Sequence, residues 1–207
     1  MPDTREFQKG VDTKKRIEDA AMELFAEQGY KGTSVRKLAA KVGIRESALY
    51  NHFSNKEAIF LSIAERVFSS PFAQQKTDEF IQEYAKKGKP FLQKFTTEFK
   101  LMTFDRKHEK LFRIMMIELM KNEVLRNGFW QQFHNNNIRV LSSGLFIMMQ
   151  EGIIRSEDPM MLANAFLGQM FYMRMQVSLL KADNKSTTTL STSFEKQLDL
   201  FWRMVAV

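Results

Sequence analysis

The chain has 207 residues, of which 44% are hydrophobic and 27% charged, so it is long enough for a sizeable core and for one or two domains. It has no cysteine and only three histidines, which excludes disulfides and thiolate metal sites, and we expect neither a metal nor a cofactor. The net charge of +7 favours a polyanionic partner, and the lack of an uncharged apolar run of about 18 residues predicts a cytoplasmic protein outside the membrane.

The first predicted helix follows a polar segment, residues 1–11, which we expect to be frayed. Asp12 or Thr13 can cap this helix, and Gly29 can end it because glycine tolerates the left-handed conformation. Apolar residues recur between them at the spacing of one helix face: Ile17, Ala20, Ala21, Leu24 and Phe25. We expect this helix to brace the next two.

Residues 33–53 predict two short helices joined by a tight turn. Thr33 or Ser34 can cap the first, and Gly43 supplies the left-handed residue of the turn. Apolar positions follow a helical spacing on both sides of the turn: Val35, Leu38, Ala39 and Val42, then Ile44, Ala48, Leu49 and Phe53. This is the pattern of a helix-turn-helix, whose second helix enters the DNA major groove.

Positive charge is concentrated on this element. Residues 31–56 contain six basic residues and one acidic residue, a net charge of +5 in 26 residues. The basic residues are Lys31, Arg36, Lys37, Lys41, Arg45 and Lys56, and the acidic residue is Glu46. Such a segment suits contact with phosphates, although for Arg36 and Lys37 a solvated helix face is an equally good explanation.

Ser54, followed three residues later by Glu57, forms a capping-box pattern that predicts a fourth helix to about Phe68. Ser69-Ser70-Pro71 then marks a boundary. We therefore predict a DNA-binding domain over residues 1–54, a connecting helix over 55–70 and a second domain over 71–207.

The composition changes after Pro71, where 12 of the 14 methionines and 14 of the 19 phenylalanines lie. Hydrophobic periodicity and glycine, proline and asparagine breaks predict six further helices. They span about 75–87, 90–106, 109–119, 123–151, 158–181 and 189–205. The fold class is therefore all-α.

Three sequence fragments occur in order and in register. Each is a weak family signal alone, but the three together are a specific one. They are Phe25-x-x-x-Gly29-Tyr30-x-Gly32-Thr33-Ser34, Leu38-Ala39-x-x-x-Gly43-Ile44 and Leu49-Tyr50-x-His52-Phe53-x-x-Lys56-Glu57. Over residues 13–68 the chain resembles the tetracycline-repressor (TetR) family of bacterial regulators. The resemblance implies an N-terminal three-helix domain that binds DNA and a C-terminal helical domain for ligand binding and dimerisation.

The resemblance also implies two kinds of DNA contact. Phosphate contacts are implied for Thr33, Tyr50, His52 and Lys56, with Arg36 as a further candidate. Base-edge contacts are expected from the start of the second helix, at Arg45, Glu46 and Ser47, with Asn51 behind them. Glu46 has the alternative role of pairing with a neighbour or stabilising the helix N-terminus. Arg45 departs from the family pattern, which commonly has a serine or threonine cap there.

Several segments of the second domain, within residues 112–120, 145–149 and 170–175, are apolar on more than one helix face. Methionine and phenylalanine suit a malleable apolar pocket, and ordinary core packing is the alternative for each methionine. Glu118 and Arg174 lie inside these runs, so each needs a partner, solvent or a ligand group; a pair between them is conceivable. The candidate ligand-binding residues are Met115, Met116, Glu118, Met148, Met149, Phe171, Met173 and Arg174.

The last two predicted helices, near 158–181 and 189–205, are candidates for a homodimer interface. Small residues occur at Ala163, Ala165 and Gly168, in the helix that TetR-family members often use to dimerise. The final helix supplies an apolar face. We predict a four-helix interface, two helices from each subunit.

These features favour a homodimeric, ligand-responsive transcription regulator. We expect a repressor that a small lipophilic effector releases from a palindromic operator. The alternative is a helical carrier of lipids or other hydrophobic molecules without sequence-specific DNA binding. An enzyme is disfavoured because the sequence has no G-x-S-x-G, H-E-x-x-H, Walker or Rossmann motif and no cysteine nucleophile.

Overall fold

A computed structural model describes residues 4–68 and 77–207, and these residues form helices without a strand. The helices are α1 (Thr4–Gly32), α2 (Val35–Val42), α3 (Glu46–Tyr50), α4 (Lys56–Phe68), α5 (Asp78–Ala85), α6 (Lys89–Phe104), α7 (Arg106–Leu119), α8 (Glu123–Phe129), a π-helical segment (Trp130–Asn135), α9 (Asn136–Gln150), α10 (Pro159–Ala182), α11 (Thr188–Ser191) and α12 (Ser193–Val205). The all-α prediction is confirmed. The predicted boundary at Ser69-Ser70-Pro71 lies outside the described residues.

The first helix is longer than predicted. It begins at Thr4, so the proposed caps at Asp12 and Thr13 are wrong. The apolar stripe marks only the part of a helix that is buried, whereas a polar stretch can be helical without showing such a stripe. At Gly29, where the helix was predicted to end, the backbone leaves the helical conformation with φ of 75°, and a last short turn continues beyond this kink to Gly32.

The helix-turn-helix prediction is confirmed. Ser34 caps α2 by accepting a hydrogen bond from Lys37 N–H, and Gly43 takes the left-handed conformation with φ of 76°. Arg16 on α1 donates to the carbonyl of Val42 at 2.7 Å, which fixes the end of α2 against α1. Leu38, Ala39, Val42, Leu49 and Phe53 are buried. These three helices, with their connections, form the head of the molecule (residues 12–53 here).

The fourth helix forms as predicted but is capped differently. Asn55 Oδ1 accepts a hydrogen bond from Ala58 N–H at 2.7 Å, so the cap is Asn55, and the predicted capping box of Ser54 and Glu57 is wrong. Glu57 instead accepts a hydrogen bond from the Tyr30 hydroxyl at 2.8 Å. Asparagine caps helices as well as serine does, so sequence alone could not choose between adjacent candidates.

Asn55→Ala should therefore lower the free energy of unfolding by about 1 kcal/mol, because an N–H group of the first turn loses its acceptor. Ser54→Ala is the matched control and should change it by less than about 0.5 kcal/mol. Urea denaturation of the two variants measures both values. Equal losses would contradict the assignment of Asn55 as the cap.

The six predicted helices of the second domain, the body (residues 77–207 here), are confirmed with small shifts of their ends. The predicted helix 123–151 is interrupted by the π-helical segment Trp130–Asn135, and the last predicted helix divides into α11 and α12. The body core lies between α6, α7, α9, α10 and α12. Its fully buried members include Phe91, Phe95, Phe99, Phe112 and Phe166.

Head and body pack directly on each other. α1 packs against α7, and α4 packs against both α1 and α7. Phe25, Tyr30 and Phe60 form an aromatic cluster, with ring centroids 4.8–5.5 Å apart, that joins α1 to α4. Ser62 on α4 also donates a hydrogen bond to Glu18 on α1. α4 is thereby fixed to the head at one end and to the body at the other.

Candidate nucleic-acid interface and effector groove

The short helix α3 presents a polar surface to solvent. Arg45 stands at its N-cap in an extended conformation and makes no side-chain capping bond. The exposed side chains are Arg45, Glu46, Ser47, Tyr50 and Asn51, and His52 is half-buried. Leu49 and Phe53 lie buried beneath them. The structure therefore brings all three predicted base-edge residues together on one exposed edge.

Thr33 is placed differently from the other predicted DNA contacts. It is only 1% exposed, and its hydroxyl donates to the carbonyl of Gly29 at 3.0 Å. In this structure its side chain stabilises the link between α1 and α2 and is not presented to a phosphate.

Lys56 is partly engaged within the protein. Its ammonium donates to the carbonyls of Tyr30 and Thr33, at 3.0 and 3.1 Å, and lies 4.1 Å from the centre of the Tyr30 ring. An ammonium has three N–H donors, so one remains for another acceptor. Burial, followed by the hydrogen bond to Glu57, raises the pKa of Tyr30 well above its usual range.

The cations of α2 divide into two kinds. Lys41 pairs with Glu23 at 2.9 Å, and this hydrogen bond and charge hold the pKa of Glu23 below its usual range. Lys37 donates to Gln28 and to the carbonyl of Gly32. By contrast, the exposed side chains of Arg36 on α2 and of Arg45 at the start of α3 make no hydrogen bond or ion pair with the described residues. The number of charges in the sequence could not distinguish the paired lysines from the unpaired arginines.

An apolar groove of about 240 Å³ lies in the body between α7 and α10. Its lining residues are Phe112, Arg113, Met116 and Ile117 from α7, and Met175, Ser178, Leu179 and Ala182 from α10. The Ser178 hydroxyl is buried and has no hydrogen-bond partner among the described residues.

Most of the predicted ligand-binding residues lie away from this groove. Met115, Met148 and Met173 are buried in the core, and Met149 and Phe171 pack against its edge. Met116 lines the groove. Glu118 lines a second cleft, where α7 meets the end of α1 beside Gln28, Tyr30 and Ile117. The sequence prediction missed Phe112 on α7. It also missed Met175, Ser178 and Leu179, because α10 is apolar all round and its pocket-facing side is therefore undefined.

Arg174 is a buried cation on α10, one helical turn before Ser178 of the groove. It is 1% exposed, and its guanidinium carbon lies 4.2 Å from the centre of the Phe112 ring. Burial lowers its pKa to about 9, and the charge of Glu109 opposes this shift. The suggested pair with Glu118 is wrong, because the carboxylate whose charge acts on Arg174 is Glu109.

The body also has an exposed apolar stripe on α10 and α12. Met161, Tyr172 and Leu179 are each more than 60% exposed, and Met204 on α12 is 62% exposed. Gly168 has open space around the position of its missing side chain. None of the helices in the described ranges is both long and apolar enough to cross a membrane.

The all-helical fold with an exposed, cationic helix-turn-helix head defines the class of helix-turn-helix regulators. A family model described as "Bacterial regulatory proteins, tetR family" matches residues 17–63, which include α2, α3 and the start of α4. The helix-turn-helix head of the chain therefore matches the TetR family.

Similar proteins agree with this assignment. The class D tetracycline repressor from Escherichia coli is 31% identical over 117 residues, which cover 54% of this chain and 53% of that protein. The transcriptional repressor AcnR from Corynebacterium efficiens is 39% identical over 56 residues, 27% of this chain and 30% of the relative. These matches span a third to a half of the relatives' lengths.

The fold itself extends over nearly the whole chain in solved structures. The regulator FadR from Bacillus subtilis, solved in complex with stearoyl-CoA, superposes with a TM-score of 0.66 at 22% identity. The superposition covers 90% of this chain and 96% of FadR. At this identity the similarity shows a common fold.

Proposed function

We propose that the protein is a homodimeric transcriptional repressor that acts by binding rather than by catalysis, and that a small lipophilic effector releases it from a palindromic operator in the cytoplasm. The observation that carries the proposal is the exposed α3 surface with the unpaired Arg45 at its start, on a head that matches the TetR family. Arginine at this position suits the O6 and N7 acceptors of guanine.

The proposed DNA contacts are of two kinds. Base edges are read by Arg45, Glu46, Ser47 and Asn51. Phosphates are held by Arg36, Tyr50 and His52, and by the remaining N–H of Lys56. Thr33 positions Lys56 through its carbonyl oxygen, which accepts from the ammonium at 3.1 Å. This arrangement places the positive charge of Lys56 beside the start of α4, where a phosphate contact can fix the orientation of the head on DNA.

The proposed route of effector control is mechanical. Ile117 on α7 lines both the groove and the cleft beside Tyr30, so only the width of α7 lies between the groove and the cleft. Tyr30 in turn contacts Phe60 and Glu57 of α4. A ligand that displaces α7 can therefore shift α4 and the head. FadR, a protein of the same fold, was solved with a lipophilic ligand, which supports an effector of this kind.

The proposed dimer forms through α10 and α12. Their exposed apolar residues would otherwise remain in water, and burying such a stripe against its copy forms a four-helix interface. Tyr172→Glu should place two charges in this interface and shift the protein to a monomer, measured by sedimentation velocity. Phe146→Glu, which places the same charge at an exposed apolar position on α9, is the control. A Tyr172→Glu variant that stays dimeric would contradict this interface.

Selection from a pool of randomised duplexes tests the proposed function. We expect an enriched motif with two-fold symmetry, because a symmetric dimer presents two copies of α3. The half-site centres should lie about 10 base pairs, or a multiple of that spacing, apart. If no motif is enriched while the protein binds hydrophobic molecules, the chain is a carrier and the proposal fails.

A further inference from the structure

We infer that the effector is a single-chain amphiphile with a carboxylate head group, held by Arg174 and Ser178 with its tail in the α7–α10 groove. This inference rests on the proposed function, because it names the chemistry of the ligand in the same body domain. It starts from the three guanidinium nitrogens of Arg174, none of which has a hydrogen-bond partner among the described residues.

An arginine in this position needs an anion. A buried charge without hydrogen bonds is costly, and the charge of Glu109 and the two aromatic rings beside Arg174 offset only part of that cost. Phe112 lies 4.2 Å and Phe99 5.5 Å from the guanidinium carbon. Cation–π contacts do not replace the in-plane acceptors that the five guanidinium N–H groups require.

The protein's own nearest carboxylate already has a cation. Glu109 is 3% exposed, and its Oε1 lies 2.8 Å from Nε of Arg113, one turn along α7. Glu109, Arg113 and Arg174 therefore carry one negative and two positive charges, a local charge of +1. One external carboxylate would neutralise the cluster.

The groove accounts for the second part of the ligand, its apolar tail. Phe112 lines the groove and also contacts Arg174, so the cation and the apolar space share a wall. Ser178 lies one turn beyond Arg174 on α10, and its buried, unpaired hydroxyl can donate to the same anion. A carboxylate is flat and accepts two parallel hydrogen bonds from a guanidinium, which suits this confined place.

The size of the groove indicates the tail. Its volume is about 240 Å³. A groove of this size is smaller than the sites that hold drug-sized ligands, which favours a chain of medium length. Decanoate is therefore a suitable probe, and 1-decanol is the matched probe with the same tail and no charge.

Calorimetric titration of the full-length protein with decanoate and with 1-decanol tests the inference. We expect decanoate to bind roughly 10- to 100-fold more tightly than decanol, the effect of one charge-assisted contact in a buried site. Arg174→Met should remove that preference. Arg174→Lys, which keeps the charge but loses the two parallel donors, should retain part of it. Arg155→Met, at an exposed arginine between α9 and α10, should leave the preference unchanged.

The ligand-free variant gives an independent readout. Because Arg174 is a charge without hydrogen bonds in the core, Arg174→Met should raise the melting temperature by roughly 2–4 °C. A lower melting temperature would show that Arg174 supports the fold and would overturn the inference. Equal binding of decanoate and decanol by the wild type would also overturn it, without any variant. DNA binding, measured separately on the wild-type protein, decides the proposed function whichever result is obtained.

Discussion

Replacing Phe60 with alanine should lower the free energy of unfolding by about 3–5 kcal/mol, because it removes a fully buried aromatic ring and leaves a cavity. Phe60 is 1% exposed and contacts the rings of both Phe25 and Tyr30. The packing that is lost therefore lies where α1 contacts α4. Urea denaturation measures the change.

The control for this variant is Phe146→Ala, since Phe146 is 51% exposed on α9. It should change the stability by less than about 0.5 kcal/mol. A small loss for Phe60→Ala, similar to that of the control, would mean that the aromatic cluster does not hold the head against α4.

Arg45→Ala should weaken operator binding and remove the preference at one base pair in each half-site, at a cost of about 1–3 kcal/mol for each such contact. The reason is the exposure of Arg45 at the start of α3, with no side-chain partner among the described residues. Affinities for the selected operator and for its single-base variants measure the effect.

Arg36→Ala is the matched control, because Arg36 is also an exposed arginine of the helix-turn-helix but lies on α2. It should weaken all sequences alike and lower the slope of log affinity against log salt by about one. Lys56→Ala is a poorer probe of phosphate contact, since it also removes two hydrogen bonds to backbone carbonyls. If both arginine variants lost affinity equally for every sequence, the division into reading and positioning residues would be wrong.

The head was predictable from sequence because its signals are local. Gly43, the apolar spacing around it and the family motifs fix the turn and the two helices within about twenty residues. The errors lie where several residues offer the same chemistry or where packing is not involved. Asn55 and Ser54 are both good caps, and the start of α1 before Asp12 is a polar helix whose position no apolar pattern marks.

The groove was less predictable because it depends on contacts between distant segments. The groove-lining residues of α7 and α10 are more than 50 residues apart in the chain, and the apolar character of α10 on all sides conceals which of its residues face α7. The charged residues gave more information than the methionines did. The sequence required a partner, solvent or a ligand group for Arg174, and the structure buries it without a hydrogen bond among the described residues, which is the observation behind the proposed carboxylate ligand.

Few helices connect the head to the body. α7 carries one wall of the groove and also packs on α1, while α4 joins the head to the body. A ligand needs to favour one position of α4 by only a few kcal/mol to change the spacing of the two heads in a dimer. The tight packing of Phe25, Tyr30 and Phe60 is what would transmit such a shift to α3.

The ratio of affinities for the selected operator and for a scrambled duplex of the same length, at fixed physiological salt, tests the central claim most directly. Specific regulators bind their sites about 10³-fold or more tightly than other DNA, and we expect a ratio in that range. Equal affinities for the two duplexes would contradict the assignment of α3 as a reading helix.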